Sequence, residues 1–236
     1  MTAFRGLFAA LVAAQVAYGA APRRSPSATR ALVLLMLATT MAEAAQARGW
    51  RRGLRPLAAA GGIGVAAELI GVRTGRLFGR YRYSGGLGPR VSGVPVLAAA
   101  AWALMARPAW VVAGRLARRR AARVPLAAGA LTAWDVFLDP RMVREGYWSW
   151  SAGGTYEGVP LSNFAGWLAT SLAIFAAWSA LDGDESADDG GAVALYVWAW
   201  AGETLANAVV WRRPLVAAAG GAAMGAFAVP ALVRRP

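Results

Sequence analysis

The chain has 236 residues, 58% of them hydrophobic, and a formal net charge of +13 at pH 7. Its apolar residues form long blocks separated by short arginine runs, which indicates a polytopic membrane protein whose arginines lie at the lipid headgroups and argues against nucleic-acid binding. Cysteine, histidine and lysine do not occur, which excludes thiolate and histidine metal ligands, haem ligation by histidine and a retinal Schiff base. Any proton chemistry therefore falls to Asp, Glu, Tyr or water.

Eight apolar blocks predict about eight transmembrane helices in an all-α protein of the cell membrane. The first block precedes a stretch of small residues and is also compatible with a signal peptide, which would leave seven spans. We predict one transmembrane helical domain over residues 1–236. In chain order the blocks cover about 2–20, 31–47, 57–72, 94–112, 124–138, 161–181, 192–210 and 215–233.

Three breaks interrupt this pattern. Proline is expected to kink or end the fourth block at Arg107-Pro108 and to break the fifth at Asp139-Pro140. Residues 73–92 and 140–159 are long connections rich in Gly and aromatic residues, and residues 182–191 form an acidic linker predicted to be a solvated loop.

Counting the spans places the polar residues on one side of the membrane. Blocks three, five and seven cross in the same direction, and block six returns. Both long connections fall on the same face as these residues, so a single one-sided site is expected. The polar residues that share this face are Glu68, Asp135, Asp139, Asn163 and Glu203.

Asp135 and Asp139 are the first candidates for catalysis, because residues four apart share one helix face. Two close carboxyls in a poorly solvated site disfavour double ionisation, so one is expected to stay protonated near neutral pH, as a proton donor must. The structural alternative is an ion pair of Asp139 with Arg141 or Arg144 at the interface.

Glu68 is the next candidate, as a second buried acid or a group that orients water; alternatively it pairs with Arg73 or Arg76. Glu203 and Asn207 share a helix face and could complete a polar pocket. The other acids within or beside the spans are expected to be structural: Glu43, Glu145 and Glu157.

Aromatic residues concentrate on the face that holds the acids. An interfacial aromatic belt explains them in any membrane protein. Aromatic faces also stabilise cations, by roughly 0.5 to 2 kcal/mol each, so they are candidates for substrate binding. They are Tyr81, Tyr83, Trp148, Trp150, Tyr156 and Trp167.

The segments ELIGVRTGRLFGRYRY (68–83), LGP (87–89), GVP (93–95), DPRMV (139–143), GYWSW (146–150) and YEGVPLSNFAGW (156–167) together resemble the carotenoid biosynthesis protein family. That family includes bisanhydrobacterioruberin hydratase and related carotenoid 1,2-hydratases. The resemblance covers about residues 68–167 and is specific only in combination.

The resemblance implies addition of water, without a cofactor or metal, to the terminal double bond of a long acyclic carotenoid, giving a tertiary alcohol. Asp135 would protonate the alkene, aromatic faces would shield the cation, and Asp139 or Glu68 would hold the attacking water. Asn163 and Glu203 would join the aromatic residues in binding substrate. The expected partners are the carotenoid, water, membrane lipid and other membrane enzymes of the carotenoid pathway.

Three alternatives remain open at this stage. A membrane prenyltransferase would use the Asp135–Asp139 spacing to bind magnesium diphosphate, although such enzymes need more acidic ligands. A carotenoid end-group cyclase would use the same acid and cation. A carotenoid- or lipid-binding scaffold, or a transporter, would use the acids as proton relays or as contacts between helices.

Overall fold

The structure is a computed structural model that describes residues 2–117, 119–181 and 189–234. Within these residues, eight helices are long and apolar enough to cross a membrane, as the sequence predicts. A π-helical turn, Ala206–Val210, continues the seventh helix. The helices are α1 Ala3–Ala20, α2 Pro26–Arg48, α3 Trp50–Thr74, α4 Val96–Leu116, α5 Arg120–Arg144, α6 Leu161–Leu181, α7 Gly190–Leu205 and α8 Pro214–Val233.

The helix ends follow local chemistry. The Ser25 hydroxyl caps α2 by accepting a hydrogen bond from the Ala28 amide, and Pro26 takes the first helical position, where no amide proton is needed. Gly49, at a φ of +77°, is the single residue that turns the chain from α2 into α3. Gly75 ends α3 in the left-handed conformation.

The predicted end of the fourth block at Pro108 and the predicted break at Pro140 are wrong, because α4 and α5 continue through both prolines. A proline lacks the amide proton that would bond the carbonyl four residues earlier. Here side-chain hydroxyls replace that proton: Thr40 donates to the Leu104 carbonyl at 2.8 Å, and Tyr156 donates to the Val136 carbonyl at 3.1 Å. With those carbonyls satisfied, the helices continue inside the membrane.

The acidic linker is shorter at its C-terminal end than predicted, because α7 begins at Gly190. Asp189, just before α7, makes an ion pair with Arg107 at 3.4 Å. Residues 182–188 of the predicted linker lie outside the described residues.

Helix α4 lies at the centre of the bundle and packs against α2, α3, α5, α7 and α8. Its buried residues run almost without interruption from Ala98 to Ala113. One charged pair is buried there, since Arg107 donates two hydrogen bonds to the Glu43 carboxylate of α2. Glu43 therefore joins two helices, in line with the structural role expected from the sequence.

The two long connections meet over one end of the bundle. Strand β1, Tyr81–Tyr83, pairs antiparallel with β4, Trp148–Trp150, so that Tyr83 faces Trp148 and Tyr81 faces Trp150. A second small pairing joins β2, Arg90–Val91, to β3, Val94–Pro95. We call the paired segments 81–83 and 148–150 the β cap; it covers the ends of α3, α5 and α6.

Candidate active site

Three helices and the β cap bring the polar residues together. Asp135 and Asp139 lie one turn apart in α5, Asn163 lies in the first turn of α6, and Glu68 lies in the second half of α3. All four side chains are buried, with exposures between 0 and 6%. Buried polar groups in a membrane protein face the bundle interior and mark candidate functional sites.

Asn163 joins the two aspartates. Its amide nitrogen donates to Asp135 Oδ2 at 2.9 Å and also to Asp139 Oδ2. The two carboxyls thus accept from the same amide nitrogen and lie close together. Two close carboxyls in a buried site disfavour double ionisation, which suits the pair to holding a proton.

Glu68 has hydrogen-bond donors on both carboxylate oxygens. Tyr83 donates to Oε2 at 2.7 Å, Tyr81 donates to the same atom, and Trp102 donates to Oε1 from its ring nitrogen at 3.2 Å. Three donors suit an ionised carboxylate. Within the part of the chain that the structure describes, neither Arg73 nor Arg76, the alternative partners considered from the sequence, makes an ion pair with Glu68.

The phenols beside Glu68 are themselves perturbed. Burial, and after it the charge of Glu68, raise the pKa of Tyr81 and the pKa of Tyr83 well above the usual value. Both phenols therefore stay protonated across the physiological range and act as donors to the carboxylate.

These groups surround a cavity of about 60 Å³. A single water needs roughly 10–15 Å³ by the same measure, so the cavity has room for more than one water or for a small apolar group. Asp139, Glu68 and Asn163 line it together with apolar residues. The aromatic residues of the lining are Phe78, Tyr81, Tyr83, Trp102, Trp148, Trp150 and Trp167.

The aromatic walls are packed ring against ring. Trp102 stacks on Trp167 with centroids 3.9 Å apart, Tyr81 lies 5.9 Å from Trp150, and Tyr83 meets Trp148 edge-on at 5.6 Å. The small cavity therefore combines two carboxyl groups with π faces, an arrangement that stabilises positive charge.

Three residues predicted for the site do not line this cavity. Asp135 is fully buried, accepts from Asn163, and is absent from the lining. Tyr156 bonds the Val136 carbonyl, and burial followed by the nearby Glu157 raises the pKa of Tyr156 to about 12. Glu203 accepts a hydrogen bond from Arg141 at 2.9 Å and lines a second, larger cavity.

The other acids bind arginines. Arg141, considered above as a partner for Asp139, instead contacts Glu203 and, at 3.5 Å, Glu145. Arg213 pairs with Glu157 at 2.7 Å. The carboxyls of Asp135 and Asp139 are thus kept apart from the arginine network of the same membrane face.

Sequence reasoning missed Trp102 and Phe78. Trp102 donates to Glu68 and stacks on Trp167, and Phe78 packs against Trp102 with centroids 6.2 Å apart. Trp102 lies in a largely apolar span that also contains Trp110, so no local pattern marks it. Phe78 lies within the motif that carries the resemblance, and that position was the available signal.

A metal site has little support from the side chains. Within residues 2–117, 119–181 and 189–234, no group of three or more Asp or Glu side chains is placed to hold an ion. The small cavity is lined by two carboxyl groups and aromatic rings, which suit proton transfer.

Comparison with known proteins identifies the family of the chain. The family profile for carotenoid biosynthesis proteins matches residues 28–227. A bisanhydrobacterioruberin hydratase from Haloarcula japonica is 35% identical over 106 residues, which cover 43% of this chain and 36% of that relative. No solved structure matches. Because the profile covers most of the chain and spans α2 to α8, the protein belongs to the carotenoid biosynthesis protein family.

Proposed function

We propose that the protein is a cofactor-independent carotenoid hydratase, which adds water to the terminal carbon–carbon double bond of an acyclic carotenoid and yields a tertiary alcohol. The observation that carries the proposal is the small cavity, where Asp139 and Glu68 lie within electrostatic reach of each other between aromatic walls. Hydration of an alkene needs an acid that protonates it, surroundings that stabilise the cation, and a base for the attacking water. In this proposal Asp139 is the acid, the aromatic walls stabilise the cation, and Glu68 is the base.

Asp139 is the proton donor in this proposal. Of the two neighbouring aspartates it is the one that lines the cavity, while Asp135 is fully buried and does not line it. Asp139 gives its proton to the less substituted alkene carbon, and the π electrons of the double bond form the new C–H bond. Asp135 and Asn163 hold Asp139 in place, and the Asp135 carboxyl is the reserve from which Asp139 regains a proton.

The tertiary cation that results is stabilised by the aromatic walls, roughly 0.5 to 2 kcal/mol for each face in contact. A water oxygen then forms the new C–O bond, and the Glu68 carboxylate takes the released proton. Tyr81, Tyr83 and Trp102 fix the orientation of Glu68. Transfer of that proton back to the aspartate pair through water restores the starting state, so one water is consumed in each turnover.

The substrate class follows from the family and the relative. The relative is named for a bacterioruberin precursor, so we propose a long acyclic carotenoid of that type, bound from the lipid phase of the cell membrane. The reaction needs both an apolar substrate and water, and a polar site buried at one end of a membrane bundle lies close to both.

The test is expression in a host that accumulates acyclic carotenoids with unhydrated ends, with the Asp139→Asn variant as the matched control. The expected result is a more polar pigment, heavier by one or two waters, with an unchanged chromophore. That pigment should be missing with the control. A new pigment of unchanged mass would indicate a cyclase, and unchanged pigments across a panel of acyclic carotenoids would contradict the proposal.

A further inference from the structure

A second cavity of about 300 Å³ lies beside the catalytic one, between α1, α2, α4, α5 and α7. The two cavities adjoin, because five side chains line both. A ligand in the larger cavity therefore lies next to the catalytic cavity. The shared side chains are Thr29, Val33, Ala101, Leu138 and Met142.

The larger cavity reaches the surface of the bundle within the membrane span. Val16 of α1, Leu205 of α7 and Val210 of the π-helical turn all line it, and they are 59%, 63% and 51% exposed. These apolar side chains mark an opening between α1 and the end of α7. The π-helical turn lies at this opening, and such turns are frequent at functional sites.

The charged residues in the wall of the larger cavity are neutralised. Arg141 contacts Glu203 at 2.9 Å and Glu145 at 3.5 Å, and its guanidinium lies over the rings of Tyr18 and Trp211 at 5.1 and 5.3 Å. The pairing leaves the cavity suited to an uncharged, apolar ligand.

We infer that the larger cavity holds the polyene chain of the carotenoid next to its reacting end, and that the gap between α1 and α7 admits the chain from the bilayer. The inference rests on the proposed function. The catalytic cavity, at about 60 Å³, holds only the end of such a substrate, so the chain must leave it. The larger cavity adjoins the catalytic cavity at the side chains that line both, is mainly apolar, and has exposed apolar side chains at its edge.

Gly202 offers a way to fill the larger cavity without disturbing the catalytic one. It lines only the larger cavity, and a Cβ atom added there would meet the Trp198 ring at 3.8 Å, an ordinary contact. Gly62 in α3 is the matched control, because it lines neither cavity, is exposed, and has nothing within 4 Å of an added Cβ.

The experiment compares Gly202→Phe with Gly62→Phe and wild type. It uses a full-length carotenoid and a short acyclic terpenoid with the same terminal double bond, and it measures the pigment retained per protein after purification in detergent. Gly202→Phe should lose most of its turnover of the carotenoid and most of the retained pigment, and keep turnover of the short substrate. Gly62→Phe should behave as wild type.

Unchanged carotenoid turnover and pigment retention in Gly202→Phe would overturn the inference. Equal loss for the long and the short substrate would also overturn it, because the effect would then lie at the reacting end. Phospholipid retained by wild type in place of pigment would show a lipid site instead. If wild type hydrates neither substrate, the proposed function fails. The pigment retained per protein by Gly202→Phe, compared with wild type, still tests whether the polyene binds in the larger cavity.

Discussion

At the scale of single residues, the proposed assignment of the proton donor depends on which of the two aspartates lines the cavity. Both are buried and both accept from Asn163, yet Asp139 alone of the pair lines the cavity. Because a general acid must be within hydrogen-bond reach of the atom it protonates, geometry decides the assignment before acidity does.

Asp139→Asn should lower the hydration rate by about 10²–10⁴-fold, the usual contribution of a positioned general acid. Asp135→Asn should lower it less, because that side chain acts through Asp139. Turnover measured on purified protein, with helix content by circular dichroism as the folding control, checks both. A greater loss for Asp135→Asn than for Asp139→Asn would return the donor role to Asp135.

Stability should fall at high pH because of the tyrosines of β1. Their pKa values are raised in the folded state above the ordinary value of 10.0. Below about pH 10 both the folded and unfolded chains keep these protons, so the two phenols add no pH dependence. Above it the unfolded chain ionises first, and the folded state loses stability as the pH rises.

Tyr83→Phe should therefore make thermal stability in detergent less sensitive to pH between 9 and 11. It should also lower the hydration rate, since Glu68 loses one of its hydrogen-bond donors. The thermal midpoint measured across this pH range is the test. An identical slope in wild type and variant would mean that Tyr83 does not carry the effect.

At the scale of secondary-structure elements, helix continuity depends on contacts made far along the chain. Pro108 and Pro140 each leave a carbonyl without its helical partner, and Thr40 and Tyr156 supply the missing hydrogen bonds. The hydrogen bond from Tyr156 also ties the α5–α6 connection to α5, in the helical turn that contains Asp135 and Asp139.

Tyr156→Phe should lower the free energy of unfolding by about 0.5–1.5 kcal/mol, because it removes the hydrogen bond to the Val136 carbonyl in a partly buried site. Thr132→Val is the control: its hydroxyl bonds the Ala128 carbonyl within a regular part of α5. The thermal midpoints of both variants in detergent test this. Loss of activity with unchanged stability in Tyr156→Phe would support the substrate-binding role predicted from the sequence instead.

At the scale of the whole molecule, eight spans bring α3, α5 and α6 together at one membrane face, and the β cap closes the cavity between them. The far side of the bundle is held differently, by the buried pair of Glu43 and Arg107. The carboxyls of Asp135, Asp139 and Glu68, by contrast, have no arginine partner among the described ion pairs.

Hydration should be insensitive to metal chelators. A prenyltransferase would need magnesium held by several carboxylates, and within the described part of the chain no three acidic side chains are placed to bind an ion. Turnover measured with and without a chelator should be equal. Loss of activity on chelation, restored by magnesium, would favour the prenyltransferase alternative.

The sequence by itself determined the membrane class, the number of spans and the family, because hydrophobic block length and motif residues are local properties. It also identified Asp135, Asp139, Glu68 and Asn163 as candidates, since polar residues in apolar spans are conspicuous.

Only the tertiary structure decided which of these residues meet. Trp102 joins Glu68, Arg141 binds Glu203 and leaves Asp139 free of an arginine, and Tyr156 turns to a backbone carbonyl. It also decided that α4 and α5 run through their prolines. These outcomes depend on packing between helices far apart in the chain, whereas sequence patterns report only on neighbours within one helix or strand.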